Sequence, residues 1–144
     1  IRSKFNSIFE INNEDVYSRI ISIAVLEHIE DLPRELAKSC LLLKNDGIFQ
    51  AGIPTEGGFL WKLSWRLTTG VSFWIRNKMD YGILMKYEHI NNQDEIIELI
   101  NYFFSKVRLK RFPFNIKHLS FYTYIEAFNP KKSVAKNYLQ NNEK

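Results

Sequence analysis

The chain has 144 residues, of which 45% are hydrophobic, 25% are charged and 15% are aromatic. This balance is typical of one globular domain and excludes a disordered or fibrous protein. The single cysteine excludes an internal disulfide framework, and no apolar run is long enough to span a bilayer, so we expect a cytoplasmic protein. Because the chain begins with Ile1 rather than Met, we expect it to be a piece of a longer protein.

The net charge of +4 is unevenly distributed along the chain. Residues 1–105 contain 11 Lys or Arg and 14 Asp or Glu, whereas residues 106–144 contain 9 Lys or Arg and 2 Asp or Glu. Such asymmetry can indicate contact with an anionic membrane or with nucleic acid. The alternative is a solvated, lysine-rich end, which we favour because the positive residues are scattered among strand-like residues.

The first regular pattern predicts a strand, a helix and a second strand. Residues 19–26 are mostly apolar, and half of them are isoleucine or valine, which is typical of a parallel strand buried on both faces. A helix should begin after Asp31 as its N-cap, with Pro33 in the first turn. It should end at a turn over residues 45–47, whose glycine suits a left-handed cap, and a strand over residues 48–53 should follow. This βαβ unit makes the two strands parallel neighbours.

An aromatic-rich insertion at about residues 59–90 interrupts this pattern. It is predicted to contain helices near residues 59–69 and 80–87, and all three tryptophans lie between residues 61 and 74. One interpretation is a lid over a ligand, because the insertion follows the carboxyl end of a strand. An amphipathic helix that packs on the core explains the pattern equally well.

The rest of the chain predicts a helix and a β-hairpin. Asn92 can cap the helix, and Glu95 follows three residues later, as in a capping box. Strands are expected over residues 107–114 and 119–128. Because four residues cannot hold a parallel crossover, these strands must be antiparallel. Residues 131–144 are expected to form a polar, lysine-rich tail after a partial domain over residues 1–130.

The predicted fold class is α/β, with two parallel strands followed by an antiparallel hairpin. Ligands in open α/β sheets bind at the carboxyl ends of the parallel strands. Glu27 and His28 follow the first of these strands and could act as general base or metal ligand. His89 follows a second glutamate at the exit of the insertion, whereas His118 lies in the hairpin turn and is expected at the surface. The phosphate-binding pattern G-x-G-x-x-G does not occur.

These motifs, taken in order, resemble a known family. The sequence VLEHI at residues 25–29, LLKNDG at residues 42–47 and the strand-like residues 48–54 resemble the second half of class I S-adenosylmethionine-dependent methyltransferases. In that family VLEH follows the fourth strand, an LLKPGG-like turn ends the next helix, and the fifth strand follows. The family's sheet ends in an antiparallel hairpin, which residues 107–128 resemble. The similarity covers roughly residues 15–128.

The resemblance implies the C-terminal half of a Rossmann-like methyltransferase sheet, with S-adenosylmethionine as cofactor. The residues that correspond to the family's cofactor-binding strand end are Ser22, Ile23, Ala24 and Val25. The candidates for a base that takes the acceptor's proton are His28, Glu27 and His89. An alternative interpretation of His28 is that it only orders the loop. In some quinone-directed relatives the positions of Ala24, Glu27 and His28 hold a metal, and because alanine cannot be a ligand, we expect no metal here.

The resemblance also defines what the chain lacks. The family's glycine-rich cofactor loop and the acidic residue that binds the ribose have no counterpart, so we expect a fragment that is inactive alone. Our first hypothesis for the acceptor is a small molecule or a lipid-linked molecule, with no nucleic acid expected and with peripheral membrane contact as a further possibility. One alternative is half of a dehydrogenase, which the terminal hairpin argues against. Another is a non-catalytic α/β module whose basic C-terminal face binds anionic membrane or nucleic acid.

Overall fold

A computed structural model of the chain describes residues 4–12, 14, 16–55 and 90–142. In chain order the regular elements are β1 (Tyr17–Ile23), α1 (Leu32–Leu42), β2 (Leu43–Pro54), α2 (Gln93–Phe103), β3 (Phe104–Pro113), β4 (Ser120–Pro130) and α3 (Lys132–Asn141). Short 3-10 turns occupy Ile8–Glu10, Leu26–His28 and Lys117–Leu119. Within these ranges no helix has the length and apolar character needed to cross a membrane.

The predicted βαβ unit is present. The Asp31 side chain accepts a hydrogen bond from the backbone N of Arg34 over 3.3 Å, which caps α1 as expected, and Pro33 lies in the first turn. Leu36 and Cys40 are buried on one stripe of the helix. β1 and β2 are parallel, so the crossover joins neighbouring strands.

The prediction that α1 ends at a turn over residues 45–47 is wrong. α1 passes directly into β2 at Leu43, and Gly47 lies inside the strand without a left-handed backbone. The segment predicted as a turn is instead a register shift in the pairing of β1 with β2. Between the pairs Tyr17–Leu43 and Arg19–Ile48, β2 advances five residues while β1 advances two. A β-carbon at Gly47 would lie 3.0 Å from Leu43 Cδ2, so close packing accounts for the glycine.

The strands form one sheet in the order β1-β2-β4-β3 over the described residues. β4 is antiparallel to both β2 and β3, which confirms the predicted hairpin. β3 therefore runs in the same direction as β1 and β2. Pro54 of β2 and Phe112 of β3 both pair with Tyr122 of β4, so the carboxyl ends of β2 and β3 lie at the same edge of the sheet. We call this edge the carboxyl edge.

The second helix begins as predicted. The Asn92 side chain accepts from the backbone N of Asp94 and Glu95, while Glu95 accepts from the backbone N of Asn92. This reciprocal capping box satisfies donors that a helix start otherwise leaves unpaired. α3 was not predicted; residues that read as a polar tail form a helix because Ala135 packs into the core, with Tyr138 against Phe103.

All three helices cover the same face of the sheet. The core combines one residue from α3 and several from α1 and α2 with alternate residues of β2 and β4: Phe49, Ala51 and Ile53 of β2, and Ile125 and Ala127 of β4. We call this the helix face and the opposite side the open face. The expectation that β1 is buried on both faces is wrong, because Ile21 and Ile23 are exposed on the open face. The helices predicted near residues 59–69 and 80–87, and the tryptophans, lie outside the described residues.

Candidate active site at the carboxyl edge

The turn after β1 is strained. β1 ends at Ile23, and the next residue, Ala24, has a φ of 51°. Its backbone N donates a hydrogen bond to the carbonyl O of Gly52 over 2.8 Å, which ties the turn to β2. A left-handed residue other than glycine costs about 1–2 kcal/mol, so the surrounding contacts must hold this conformation. Strain of this kind concentrates at functional sites.

A tyrosine from β4 lies across the same strand ends. A β-carbon at Gly52 would lie 2.7 Å from Tyr122 Cε1 and 3.2 Å from Ile23 Cδ1, so glycine is needed for this close approach. The Tyr122 hydroxyl donates to the carbonyl O of Gly52 over 3.1 Å. Burial raises the pKa of Tyr122, the Glu27 carboxylate raises it further, and a hydrogen bond with the Ala24 backbone opposes them. The phenol therefore stays protonated at neutral pH and can donate.

The loop after β1 is anchored to the segment that precedes α2. The carbonyl O of Glu27 accepts hydrogen bonds from the backbone N of Ile90 and of Asn91, over 2.9 and 3.1 Å. The Asn91 side chain donates in return to the carbonyl O of Leu26 and of Ile29, over 3.0 and 2.6 Å. These four bonds fix the start of α2 beside the loop that carries the predicted Glu27 and His28.

Glu27 and His28 differ sharply in exposure. The Glu27 side chain is buried, and its Oε2 has no hydrogen-bond partner among the described residues. Its Oε1 lies 3.9 Å from Nε2 of His28, whose side chain is 45% exposed. A buried carboxylate without a full set of partners is costly, so such an oxygen is suited to receive a donor from a bound molecule. The exposed imidazole beside it can exchange protons with solvent.

A second buried polar group lies under the end of β2. Gln93 Nε2 donates to Thr123 Oγ1 over 2.9 Å, and Thr123 Oγ1 lies 2.9 Å from Thr55 Oγ1. All three residues are buried. Gln93 Oε1 has no hydrogen-bond partner within the described part of the chain. The carboxyl edge thus holds two buried acceptor atoms, Glu27 Oε2 and Gln93 Oε1, that the described residues leave unpaired.

The predicted site residues that the structure describes all lie at or just after the carboxyl end of β1. Ser22 is half-buried in β1, whereas Ile23, Ala24 and Val25 are exposed at its carboxyl end. Their assignment to cofactor binding stays a prediction, as do the catalytic roles of Glu27 and His28. His89, the third candidate base, lies outside the described residues. The surface position predicted for His118 is confirmed.

Sequence reasoning missed four residues of this edge. They are Thr55, Gln93, Tyr122 and Thr123. Thr55 follows the predicted end of the second strand, and this position at the carboxyl end of a parallel strand could have identified it as a site residue. Gln93 sits in the first turn of α2, where a polar residue is normally solvated, and the two β4 residues reach the edge only through strand pairing. Among the described residues no group of three or more His, Cys, Asp or Glu could hold a metal ion.

Two solved structures of similar fold are methyltransferases. N-methyltransferase NodS from Bradyrhizobium japonicum, crystallised with S-adenosyl-L-homocysteine, aligns at 12% identity and TM-score 0.53, over 88% of this chain and 53% of that one. A SAM-dependent methyltransferase from Thermotoga maritima, described as a possible histamine N-methyltransferase, aligns at 13% identity and TM-score 0.53, over 80% and 57%. This chain has the methyltransferase fold. The predicted fold class is thereby confirmed, and the chain spans little more than half the length of each neighbour. No family model matches the chain, and no curated protein matches it.

Proposed function

We propose that this chain is the C-terminal part of a methyltransferase domain that uses S-adenosylmethionine and acts on a small-molecule or lipid-linked acceptor. The observation that carries the proposal is the strained, exposed end of β1 at the carboxyl edge of a methyltransferase-type sheet. In open α/β folds this edge binds the ligand, and residues placed there decide the chemistry.

The described residues fit one wall of a cofactor site. Ile23 and Val25 present exposed apolar side chains, and Ala24 between them is exposed as well. An apolar wall of this kind suits the uncharged parts of a nucleoside cofactor. The glycine-rich loop and the ribose-binding acid implied by the resemblance have no counterpart in this sequence. The cofactor site is therefore proposed to be completed by upstream residues of a longer protein.

S-adenosylmethionine would supply a methyl group on a positively charged sulfur. The work left to the protein is to orient the acceptor, exclude water and take the acceptor's proton. Glu27 Oε2 is proposed to accept a hydrogen bond from the acceptor's hydroxyl or amine, since that oxygen is buried and unpaired within the described residues. His28 is proposed to take the proton, because its side chain reaches solvent and stands next to the carboxylate. His89 stays a second candidate for this role.

Calorimetry with S-adenosyl-L-homocysteine tests the cofactor assignment. We expect weak or no binding by the 144-residue chain and clear binding by a longer version that restores the upstream residues. In that version Val25→Glu should weaken binding about tenfold, because the new carboxylate must be desolvated against the ligand. Val16→Glu is the matched control: Val16 and Val25 are 46% and 47% exposed, but Val16 precedes β1 and lies away from the carboxyl edge.

Methyl transfer to a panel of phenols, quinols and amines tests the two side chains of the loop. His28→Gln should lower kcat and leave the acceptor KM nearly unchanged. Glu27→Gln should raise the acceptor KM as well, because a neutral amide binds the acceptor's hydroxyl or amine less strongly. Glu98→Gln changes an exposed glutamate on α2 and should leave both parameters unchanged. Full activity of both His28→Gln and Glu27→Gln would show that neither side chain has its proposed role. Failure of the longer version to bind the cofactor would favour the alternative of a non-catalytic module.

A further inference from the structure

The β3–β4 hairpin ends in a group of exposed apolar side chains. We define the hairpin tip as residues 112–119, which join β3 to β4. Phe112, Phe114, Ile116 and Leu119 are 70%, 57%, 56% and 40% exposed. Single exposed apolar residues are common, but four within eight residues form a patch, and such patches mark contact with another protein, a ligand or a membrane.

Positive charge accompanies this patch. From residue 105 to residue 125 the sequence contains no Asp or Glu and five cations: Lys106, Arg108, Lys110, Arg111 and Lys117. Lys117 is paired with Asp94 of α2, Nζ to Oδ1 2.7 Å, and Arg108 lies opposite Glu126 of β4. Arg111 is half-buried and pairs with the buried Thr123, so its side chain lies on the helix face. Lys110, exposed on β3, therefore brings the uncompensated charge closest to the tip. An anionic partner is favoured.

The tip lies at the carboxyl edge. Phe112 pairs with Tyr122, and Tyr122 pairs in turn with Pro54 at the end of β2. The Tyr122 hydroxyl reaches Gly52, which is bonded to the strained turn at Ala24. A partner that binds the tip is thus next to the candidate active site along one continuous edge of the sheet.

The composition of the tip favours lipid over nucleic acid. Phosphates could pair with Lys110, and bases could stack on the phenylalanines, but neither would cover the aliphatic side chains of Ile116 and Leu119. An interfacial membrane segment needs aromatic and aliphatic side chains on the buried side and lysine or arginine at the headgroups. We propose that the hairpin tip inserts into the interface of an anionic membrane, with Lys110 at the lipid phosphates.

Membrane contact would present the carboxyl edge to a lipid-linked acceptor. Only this consequence rests on the proposed function. Binding of the tip to lipid requires neither a cofactor nor methyl transfer, so vesicle binding and calorimetry can fail independently of one another.

Co-sedimentation with vesicles tests the inference directly. The full chain should bind vesicles of phosphatidylcholine mixed with phosphatidylglycerol, bind phosphatidylcholine alone at least about tenfold more weakly, and lose affinity as salt rises. The double variant Phe112→Ser/Phe114→Ser should lose about tenfold or more, because two apolar side chains no longer insert. Lys110→Glu should lose about fivefold or more through the anionic lipid alone. The matched controls are Tyr102→Ser, an exposed aromatic residue on α2, and Lys136→Glu, an exposed cation on α3, and neither should change binding.

Site-specific labelling gives a second, independent measurement. The native Cys40 is buried, and burial raises its pKa to about 12, so it should not react in the folded protein. An environment-sensitive fluorophore on Phe114→Cys should shift to the blue with anionic vesicles, whereas one on Tyr102→Cys should not. The label reports insertion even if the double serine variant does not fold.

Three results would overturn the inference. The first is equal vesicle binding by the tip variants and the controls. The second is a blue shift at Tyr102→Cys but none at Phe114→Cys. The third is binding to single-stranded or duplex nucleic acid, or concentration-dependent dimerisation without lipid, that the tip variants abolish while vesicle binding is absent.

Discussion

The helix face and the open face of the sheet are built from the same strands but have different contents. Along β2, Phe49, Ala51 and Ile53 point toward the helices and are buried, while Gln50 between them points to the open face. There Gln50 Nε2 donates to Glu126 Oε1 over 3.0 Å, in a polar group with Tyr124. Because side chains alternate along a strand, each residue serves one face only. The helix face therefore supplies stability, and the open face and carboxyl edge are left for binding.

Truncating a core aromatic residue should give the largest difference between the faces. Phe49 is buried, with its ring centre 5.6 Å from that of Phe104, and Phe49→Ala should cost about 3–5 kcal/mol of unfolding free energy. Ile21→Ala, on the open face of β1, should cost far less because Ile21 is already exposed. Urea unfolding of both variants measures this. Similar losses would mean that the open face is covered in solution.

Gly52 lies on the open face but is packed as closely as a core residue. Gly52→Ala should destabilise the protein by about 1–3 kcal/mol, because the new methyl group would lie 2.7 Å from Tyr122 Cε1. The same substitution in a Tyr122→Ala background should cost much less. A double-mutant cycle by urea unfolding separates the two effects. Equal penalties in both backgrounds would show that the Tyr122 ring is not the obstacle.

Thr123 tests the polar part of the helix face. Thr123→Val should cost about 1–3 kcal/mol, since it leaves Gln93 Nε2 and the Thr55 hydroxyl without their partner in a buried position. Adding Thr55→Val should cost little more, because the second hydroxyl then leaves no unpaired group behind. Thermal unfolding of the single and double variants measures both costs. Two full, additive penalties would contradict a shared network.

Removing the capping box should cost less stability, and the effect should be confined to α2. Asn92→Ala should cost about 1 kcal/mol, because the backbone N of Asp94 and Glu95 lose their acceptor. Asn137→Ala, at an exposed position within α3, is the control and should not destabilise. Hydrogen exchange in the first turn of α2 should increase for the first variant only. Unchanged exchange there would mean that tertiary contacts, including those of Asn91, hold the helix start.

The turn at Ala24 should give the smallest effect on stability. Ala24→Gly relieves the cost of φ 51° but adds freedom to the unfolded chain, so the net gain should be at most about 1 kcal/mol. A gain in stability together with weaker cofactor binding by the longer version would indicate that the strained turn serves binding. A loss of stability would show that the alanine methyl group makes a contact of its own.

Local patterns were sufficient for several elements. The Asp31 cap with Pro33 predicted the start of α1, and Asn92 with Glu95 predicted the start of α2, because caps are set by a few neighbouring residues. The short connection between β3 and β4 required an antiparallel pair. The end of α1 was misplaced because Gly47 is needed for close packing in a strand irregularity, which no local pattern reveals.

The candidate site could be predicted only where the chain itself passes through it. Glu27 and His28 follow the end of a predicted strand, so the sequence placed them at the carboxyl edge. Tyr122 and Gln93 lie far along the chain and reach that edge through the pairing of β4 and the packing of α2. Residues that read as a lysine-rich tail became α3 because the core offered an apolar surface for Ala135. The sequence by itself determined β1, α1, β2, α2 and the β3–β4 hairpin in their order, since strand and helix patterns and caps depend on near neighbours. Tertiary structure alone decided which face stays open and which distant polar atoms are left unpaired, because both depend on contacts between residues far apart in sequence.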